Sequence, residues 1–299
     1  MRTRSGLLTI VFTAIIAAVL PGCAAPGGGV RFDQPEVMPT YDEVASRFNT
    51  RVERLNRVWA RVNLTLHSPK ESGGTNVDRA EGYLQLEQPD RTSLSIMKLG
   101  ETYFYMGSDA TGYWWLDMSD SETKTALYGT HADATPELVM ELGLPVHPRE
   151  LLDLIGITPL PVRADGERGS PGRVDWDRKR GLLRVESPAM WGTRVLWLNP
   201  VTMAPQRVEL RDGRGVVRAS CDMGRYISAP VRGDGRVPPK LASQYKVEMP
   251  TTGVRATLEL YGAQNKPINP RAFDFADLVE SYGIDEVYFL RPTRDTGGE

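Results

Sequence analysis

Two long stretches of period-two alternation, parted by short leucine-rich segments, constrain this chain more than any other feature. Val58, Ala60, Val62, Leu64 and Leu66 alternate with Trp59, Arg61, Asn63, Thr65 and His67. A strand with that pattern has one apolar face and one polar face. The alternation resumes at Gly82, Leu84 and Leu86 after a turn at Ser72-Gly73-Gly74, and again at Leu94 and Ile96 after Pro89-Asp90. Turns at Leu99-Gly100 and Ser108-Asp109 set off Thr102–Met106 and Gly112–Leu116, and Lys124–Tyr128 follows. Closely spaced strands joined by short turns predict an antiparallel meander.

The second stretch begins after a loop rich in glycine, proline and charge, residues 164–172. It predicts strands at Leu182–Glu186, Thr193–Leu198, Gln206–Leu210, Gly215–Asp222, Ala242–Glu248 and Val254–Leu260. Asp212-Gly213 is a hairpin signal. Between the two stretches, Thr135-Pro136-Glu137 reads as an N-cap followed by proline at the first helical position. It predicts a helix through Leu138, Met140 and Leu142 to Gly143. Pro148 opens another, through Leu151, Leu152, Leu154 and Ile155 to Gly156. A further helix precedes the first strand. Thr40 and Glu43 form a capping box, and Val44, Phe48, Val52 and Leu55 make one apolar stripe that needs a surface to cover. Phe273, Phe275, Leu278 and Val279 predict a short packing helix in the tail. Together these elements predict a mainly β, α+β fold.

The N-terminus sets the compartment. Arg2 and Arg4 precede an uncharged, mostly apolar run, Gly6 to Leu20, which is shorter than a membrane span. The run ends in Leu20-Pro21-Gly22-Cys23. This reads as a secretory signal over residues 1–22 and resembles a bacterial lipobox, in which Cys23 receives a diacylglyceryl group and becomes the new N-terminus. Residues 23–39 then read as a flexible tether rich in Gly and Pro, residues 40–290 as a single domain, and residues 291–299 as a disordered tail. The chain has 2 cysteines. With Cys23 acylated, Cys221 has no partner, so a disulfide framework is excluded. A formal charge of −2 argues against a nucleic-acid partner.

Helix, strands, helical insertion and strands again resemble the bacterial lipoprotein localisation carriers, a family with a soluble periplasmic carrier (LolA-like) and a lipid-anchored outer-membrane receptor (LolB-like). The most recognisable segment runs from Val195 to Gly213. An apolar strand enters Asn199-Pro200, continues through Thr202 and Pro205, and leads into a strand that ends in a polar-Gly hairpin. Gly82 to Gln88, with Pro89 and Arg91, and the aromatic strand Tyr113-Trp114-Trp115 match the family's habits too. The resemblance implies a curved antiparallel half-barrel covered by the N-terminal helix and by the inserted helices as a lid. It also implies an apolar space for acyl chains in transit. A ~16-carbon, palmitate-length chain gains roughly 13 kcal/mol on leaving water for an ideal apolar site. The implied pocket residues are Val62, Leu64, Leu84, Leu86, Leu94, Ile96, Phe104, Trp114, Leu183, Trp197 and Leu258. The family's receptor carries a protruding apolar loop residue. The turn around Val77-Asp78-Arg79 has no large apolar tip.

No enzymatic motif is present. His67, His131 and His147 match no metal spacing, Asp117–Glu122 lacks the glycine of a calcium loop, and neither a nucleophile elbow nor a phosphate loop occurs. No cofactor is implied. The expected partners are a membrane, through the N-terminal lipid anchor, and acyl chains or lipoproteins as ligand. Nothing specifies an oligomeric state. By resemblance to bacterial envelope sorting, Ala24 in place of aspartate implies the outer membrane, facing the periplasm, over the inner. The expected function is therefore lipoprotein or lipid sorting. The alternative is a structural or sensory envelope lipoprotein that binds a protein partner.

Overall fold

The computed structural model describes residues 31–70, 72–120, 122–140, 146–163, 170–233 and 235–291. The signal segment, Cys23, the residues beyond 291 and the expected helix end at Leu142 and Gly143 lie outside them. Thr40 caps helix α1 (Tyr41–Glu53) as its spacing predicts. Its hydroxyl accepts from the Glu43 backbone N–H, and the Glu43 carboxylate accepts from the Thr40 N–H at 2.7 Å.

The described strands form one open, curved sheet. Six make the first meander: β1 (Arg57–Pro69), β2 (Thr75–Glu87), β3 (Arg91–Lys98), β4 (Glu101–Ser108), β5 (Gly112–Asp117) and β6 (Thr125–Thr130). Two short helices follow, α2 (Pro136–Met140) and α3 (Glu150–Ile155). The second meander comprises β7 (Arg173–Asp177), β8 (Leu182–Ala189), β9 (Gly192–Leu198), β10 (Pro205–Asp212), β11 (Val217–Ser228), β12 (Lys240–Met249) and β13 (Val254–Gln264). A short 3-10 turn at Pro270–Phe273 leads into helix α4 (Phe275–Tyr282), and β14 (Glu286–Phe289) ends the described chain. Strand order across the sheet is β14-β6-β5-β4-β3-β2-β1-β13-β12-β11-β10-β9-β8-β7. β1 therefore sits mid-sheet between β2 and β13. Neighbours are antiparallel, except that β14 runs parallel to β6.

Helices cover both faces of the sheet. On the inner face, Val44, Phe48, Val52 and Leu55 of the α1 stripe pack with Val58, Ala60, Leu84, Leu86, Leu183 and Val185, together with Leu152 and Ile155 of α3. The tail helix is present, and it lies on the outer face. Leu278 packs with Tyr105, Trp114 and Leu116. The Tyr105 hydroxyl donates to the Ala272 carbonyl at 2.7 Å, so it accepts from Ser93 at 2.6 Å. The chain thus returns from β13 across the outer surface and adds β14 beside β6.

β7 and β14 are absent from the sequence reading. Both are short, and β7 follows a loop whose glycines, prolines and charges mask its alternation. The presumed tether is seated at two points among the described residues: Phe32 packs on the outer face and Met38 on the inner core.

Gly82 is needed where β2 passes β3. A Cβ at that position would overlap the Ser95 carbonyl. Gly82→Ala is expected to lower unfolding free energy by about 1–3 kcal/mol through overpacking. Gly224→Ala, where a Cβ meets only the Gln244 side chain at 4.0 Å, should stay within about 0.5 kcal/mol of the parent. Denaturant unfolding measures both.

Candidate functional site

Between the inner face and α3 the molecule is hollow. A cavity of about 330 Å³ opens there, lined from β1 by Leu64 and Leu66, from β3 by Leu94 and Ile96, and from β4 by Tyr103, Phe104 and Met106. Val247 and Met249 of β12, Ala256 and Leu258 of β13, and Val146, Leu151 and Leu154 complete the apolar wall. Asp117 and Ser119 form the polar part of the lining. The volume lies at the lower end of the ~300–1,000 Å³ of ligand pockets.

Small residues create the space. In the β1–β2–β3 register, Leu64 faces Ala80, and Val62 faces Gly82, which faces Ile96. At this level β2 supplies no large inward side chain, whereas one step further along it supplies Leu84 and Leu86, both fully buried. Ala256, beside Leu66 and Val247, thins the opposite wall. A curved sheet with truncated side chains in the middle of its inner face cannot close onto the lid.

Five of the residues expected to meet a ligand line the hollow: Leu64, Leu94, Ile96, Phe104 and Leu258. Val62, Leu84, Leu86 and Leu183 belong to the inner core beside it, packed against α1 and α3. Trp114 and Trp197 sit on the outer face. Tyr113–Leu116 and Val195–Leu198 are apolar without interruption, so period two does not choose their faces. The ladder does: Trp115 pairs with Met106, and Trp114 pairs with Gly107, where a Cβ would come within 2.8 Å of the indole. Trp114 then packs on Phe275 of α4 at 5.8 Å between ring centroids. Trp197 donates from Nε1 to Asp177 at 2.8 Å. Met106, Val146, Val247, Met249 and Ala256 were missed. Val146 lies in the loop before α3 and shows no alternation; for the others alternation marks an inward face, and only the fold shows which inward residues border empty space.

α3 roofs the hollow, and two buried ion pairs fix it. Arg218 donates from Nη1 to Glu150 at 3.3 Å, with a second, closer contact from Nη2. Arg194 donates to Asp153 at 2.6 Å and to the carbonyls of Thr158 and Pro159. Burial outweighs the pull of Arg218 and holds the Glu150 carboxyl above its usual range. Just upstream, His147 is fully buried, its ring 4.4 Å from Tyr113 and 5.2 Å from His131. Its Nδ1 accepts from the Arg149 N–H at 3.1 Å. Two histidines distant in sequence thus meet, yet among the described residues no group of three His, Cys, Asp or Glu could hold a metal. Cys221 is buried, which pushes its thiol up and out of reach of nucleophilic chemistry.

A larger depression of about 680 Å³ lies on the outer face, lined by Arg61, Asn63, Arg79, Glu81, Tyr83, Lys98, Leu99 and Tyr261. Charged side chains of Arg61, Arg79, Glu81 and Lys98 stand among its walls, unlike those of the hollow. Leu99, at the β3–β4 turn, is 100% exposed with φ 55°. Among the described residues no helix is long and apolar enough to cross a membrane.

No protein-family model matches the sequence, and no curated protein is significantly similar to it. Solved structures do resemble it. A DUF1329 family protein from Desulfovibrio piger superposes with a TM-score of 0.50 at 10% identity, over 79% of this chain and 98% of that one. A LolA superfamily protein from Nitrosomonas europaea gives 0.47 at 11% identity, over 80% and 99%. A putative outer membrane lipoprotein-sorting protein domain from Vibrio parahaemolyticus gives 0.47 at 12%, over 77% and 94%. The fold is an open, curved half-barrel, shared with the DUF1329 family protein. At such identity the likeness concerns the fold alone.

Burial, with His131, Arg149 and Arg218 nearby, depresses His147 to about 3. An unfolded histidine titrates near 6.5, so on acidification the unfolded chain takes up the proton first. This contribution to stability is fully present above about pH 6.5 and is lost as pH falls toward 3, with a slope of at most ~1.4 kcal/mol per pH unit. Glu150 acts in the opposite sense, because its raised carboxyl favours the folded state on acidification. The difference between wild type and His147→Gln isolates the histidine. Chemical unfolding between pH 7 and 4 should show the variant losing less stability than the parent.

Proposed function

We propose that the hollow receives the hydrocarbon chain of an acylated ligand. The protein, held at the envelope membrane by a diacylglyceryl group on Cys23, then assists the sorting of lipoproteins or lipids to the outer membrane. The observation that carries this reading is the 330 Å³ apolar space between sheet and α3. Transfer of each buried methylene from water is worth about 0.8 kcal/mol. A wall of Leu, Ile, Val, Met and Phe side chains supplies the environment that a chain leaving a bilayer requires.

The rim selects among acyl ligands. Among the described lining residues there is no Lys, Arg or His, and the charge present is the Asp117 carboxylate. Asp117 already accepts from the Ser119 N–H at 2.9 Å and the Ser119 hydroxyl at 2.6 Å. Burial, with Asp78 and Asp117 adding, raises the Tyr103 phenol, so it stays neutral at neutral pH. A free fatty-acid carboxylate at this rim would be repelled and left without a cation. An ester- or amide-linked chain would not. The ligand class favoured is thus an acylated molecule with a neutral linkage.

A second reading has its own support. The outer groove gathers Arg61, Arg79 and Lys98, which make no ion pair among the described residues, beside the exposed Leu99. That combination suits a protein partner and fits a structural or sensory lipoprotein.

Native mass spectrometry of the mature protein separates the two. Co-purified lipid, displaced more readily by a monoacylglycerol than by the matching fatty acid at pH 7, is the expected result. Ala256→Trp should fill the hollow and weaken acyl binding by about tenfold or more, the scale of 1.4 kcal/mol or above. A wild-type protein that carries no lipid and shows no saturable uptake of either probe would overturn the carrier reading.

A further inference from the structure

The hollow is longer across the strands than along them. Most strands that line it give one pair of successive inward residues: Leu64 and Leu66 on β1, Leu94 and Ile96 on β3, Val247 and Met249 on β12. Such a pair covers only about 7 Å of strand. Across the sheet the lining reaches from β4 to β12, through the order β4-β3-β2-β1-β13-β12. Those strands span five spacings of ~4.8 Å, or about 24 Å. The ladder adds a slant. Leu66 is level with Ala256 and Val247, whereas Ile96 and Phe104 are level with Val62, four residues away on β1. β2 crosses the middle without a lining side chain, so nothing large divides the trough.

Its two ends differ in chemistry. Beside β4, Asp117 pairs with Phe104 in the ladder, and Ser119 lies next to it. At the β12 end, Val247 and Met249 are apolar, and the ladder partner of Val247 is the buried Cys221 of β11. A polar group is accommodated at the first end and a methyl group at the second. Width and volume limit what lies between. An extended hydrocarbon chain advances ~1.3 Å per bond, because bonds of about 1.5 Å meet at near-tetrahedral angles. Sixteen carbons then reach about 19 Å and twelve about 14 Å, within the length of the trough. A methylene fills about as much space as the ~30 Å³ of a liquid water, so 330 Å³ holds on the order of a dozen. That is one chain, and a second has no room.

We propose that the hollow is a ruler for a single extended acyl chain of roughly 12 to 16 carbons, laid across the strands with its neutral linkage at Asp117 and Ser119 and its methyl end stopped by Val247 and Met249. Such a ruler presupposes the acyl binding proposed above and adds to it the number, length and direction of the chain. Inside the trough each further methylene leaves water, which strengthens binding by at most about fourfold. Beyond the stop, a longer chain must buckle or leave methylenes exposed at the rim, and the gain ends.

The test measures the affinity of the processed full chain for monoacylglycerols of roughly eight to twenty carbons, by competition in native mass spectrometry. For wild type, affinity should climb with length and stop climbing between about 12 and 16 carbons. Met249→Ala opens the far end and should move that limit up by about two carbons, since it removes a side chain of about that length. Met249→Trp should move it down. Ile96→Ala, near the polar end, should lower affinity at all lengths alike and leave the limit in place. Comparing lengths within one variant cancels any general loss of stability. A wild-type affinity that climbs steadily to twenty carbons, a limit unmoved by Met249→Ala, or one moved equally by Ile96→Ala overturns the ruler and leaves the carrier reading intact. A wild-type protein that takes up none of the series overturns both.

Discussion

The ladder between β1 and β13 is the joint on which the molecule depends. Two meanders, separated in sequence by the helical insertion, become one sheet because Val62 pairs with Leu260, Leu64 with Leu258 and Leu66 with Ala256. This register puts the apolar alternation of both strands on the same face. A slip of one residue would send Leu64 and Leu66 outward and bring Asn63 and Thr65 against the lid. The joint also determines the hollow, whose walls come from β1, β3 and β4 on one side of it and from β12 and β13 on the other. Neither meander alone encloses that space.

Covering a curved apolar face requires a lid held in place, and α3 is only six residues long. A helix this short has little stability of its own in water. It is fixed by tertiary contacts: Leu152, Leu154 and Ile155 in the core, and Glu150 and Asp153 on arginines of β11 and β9. Burying such pairs sets desolvation against Coulomb attraction, and the net gain over an apolar substitute is often nil. The raised Glu150 carboxyl is consistent with a costly burial. What the pairs add is placement. A leucine in their stead could slide along the sheet, whereas a guanidinium that must meet one carboxylate fixes where the roof stands over the hollow.

Much of this was legible because local signals agree with the global fold. Thr40 with Glu43 announces α1, and Val58 to Leu66 declare one inward face; in both cases a single residue pattern decides a single structure. Strands, insertion and strands gave the α+β class, and the half-barrel came from the family resemblance carried by segments such as Val195 to Gly213. Legibility fails where a pattern is degenerate. Tyr113-Trp114-Trp115-Leu116 has no polar member, so its faces are decided by the pairing of Trp115 with Met106 and by α4 covering Trp114. β14 pairs with β6 across 155 intervening residues of chain, and no local signal carries that. The hollow is the extreme case. Leu84 and Leu94 share one alternation and face each other in the ladder, yet only Leu94 borders empty space, because the next inward residue on β2 is Gly82.

That empty space argues for use. Deleting buried bulk costs on the order of 24 cal/mol per Å³ of residual cavity, which for a dry void of 330 Å³ would approach about 8 kcal/mol. A domain has only about 5–15 kcal/mol of net stability, and a larger residue at Ala80 or Ala256 would recover part of the loss. Rim access lowers the cost by admitting water, but water against Leu, Ile and Met side chains is itself poorly placed. The arrangement becomes favourable once something apolar occupies it. Under the proposed function, the small residues at Ala80, Gly82 and Ala256 are room kept for a ligand rather than imperfect packing.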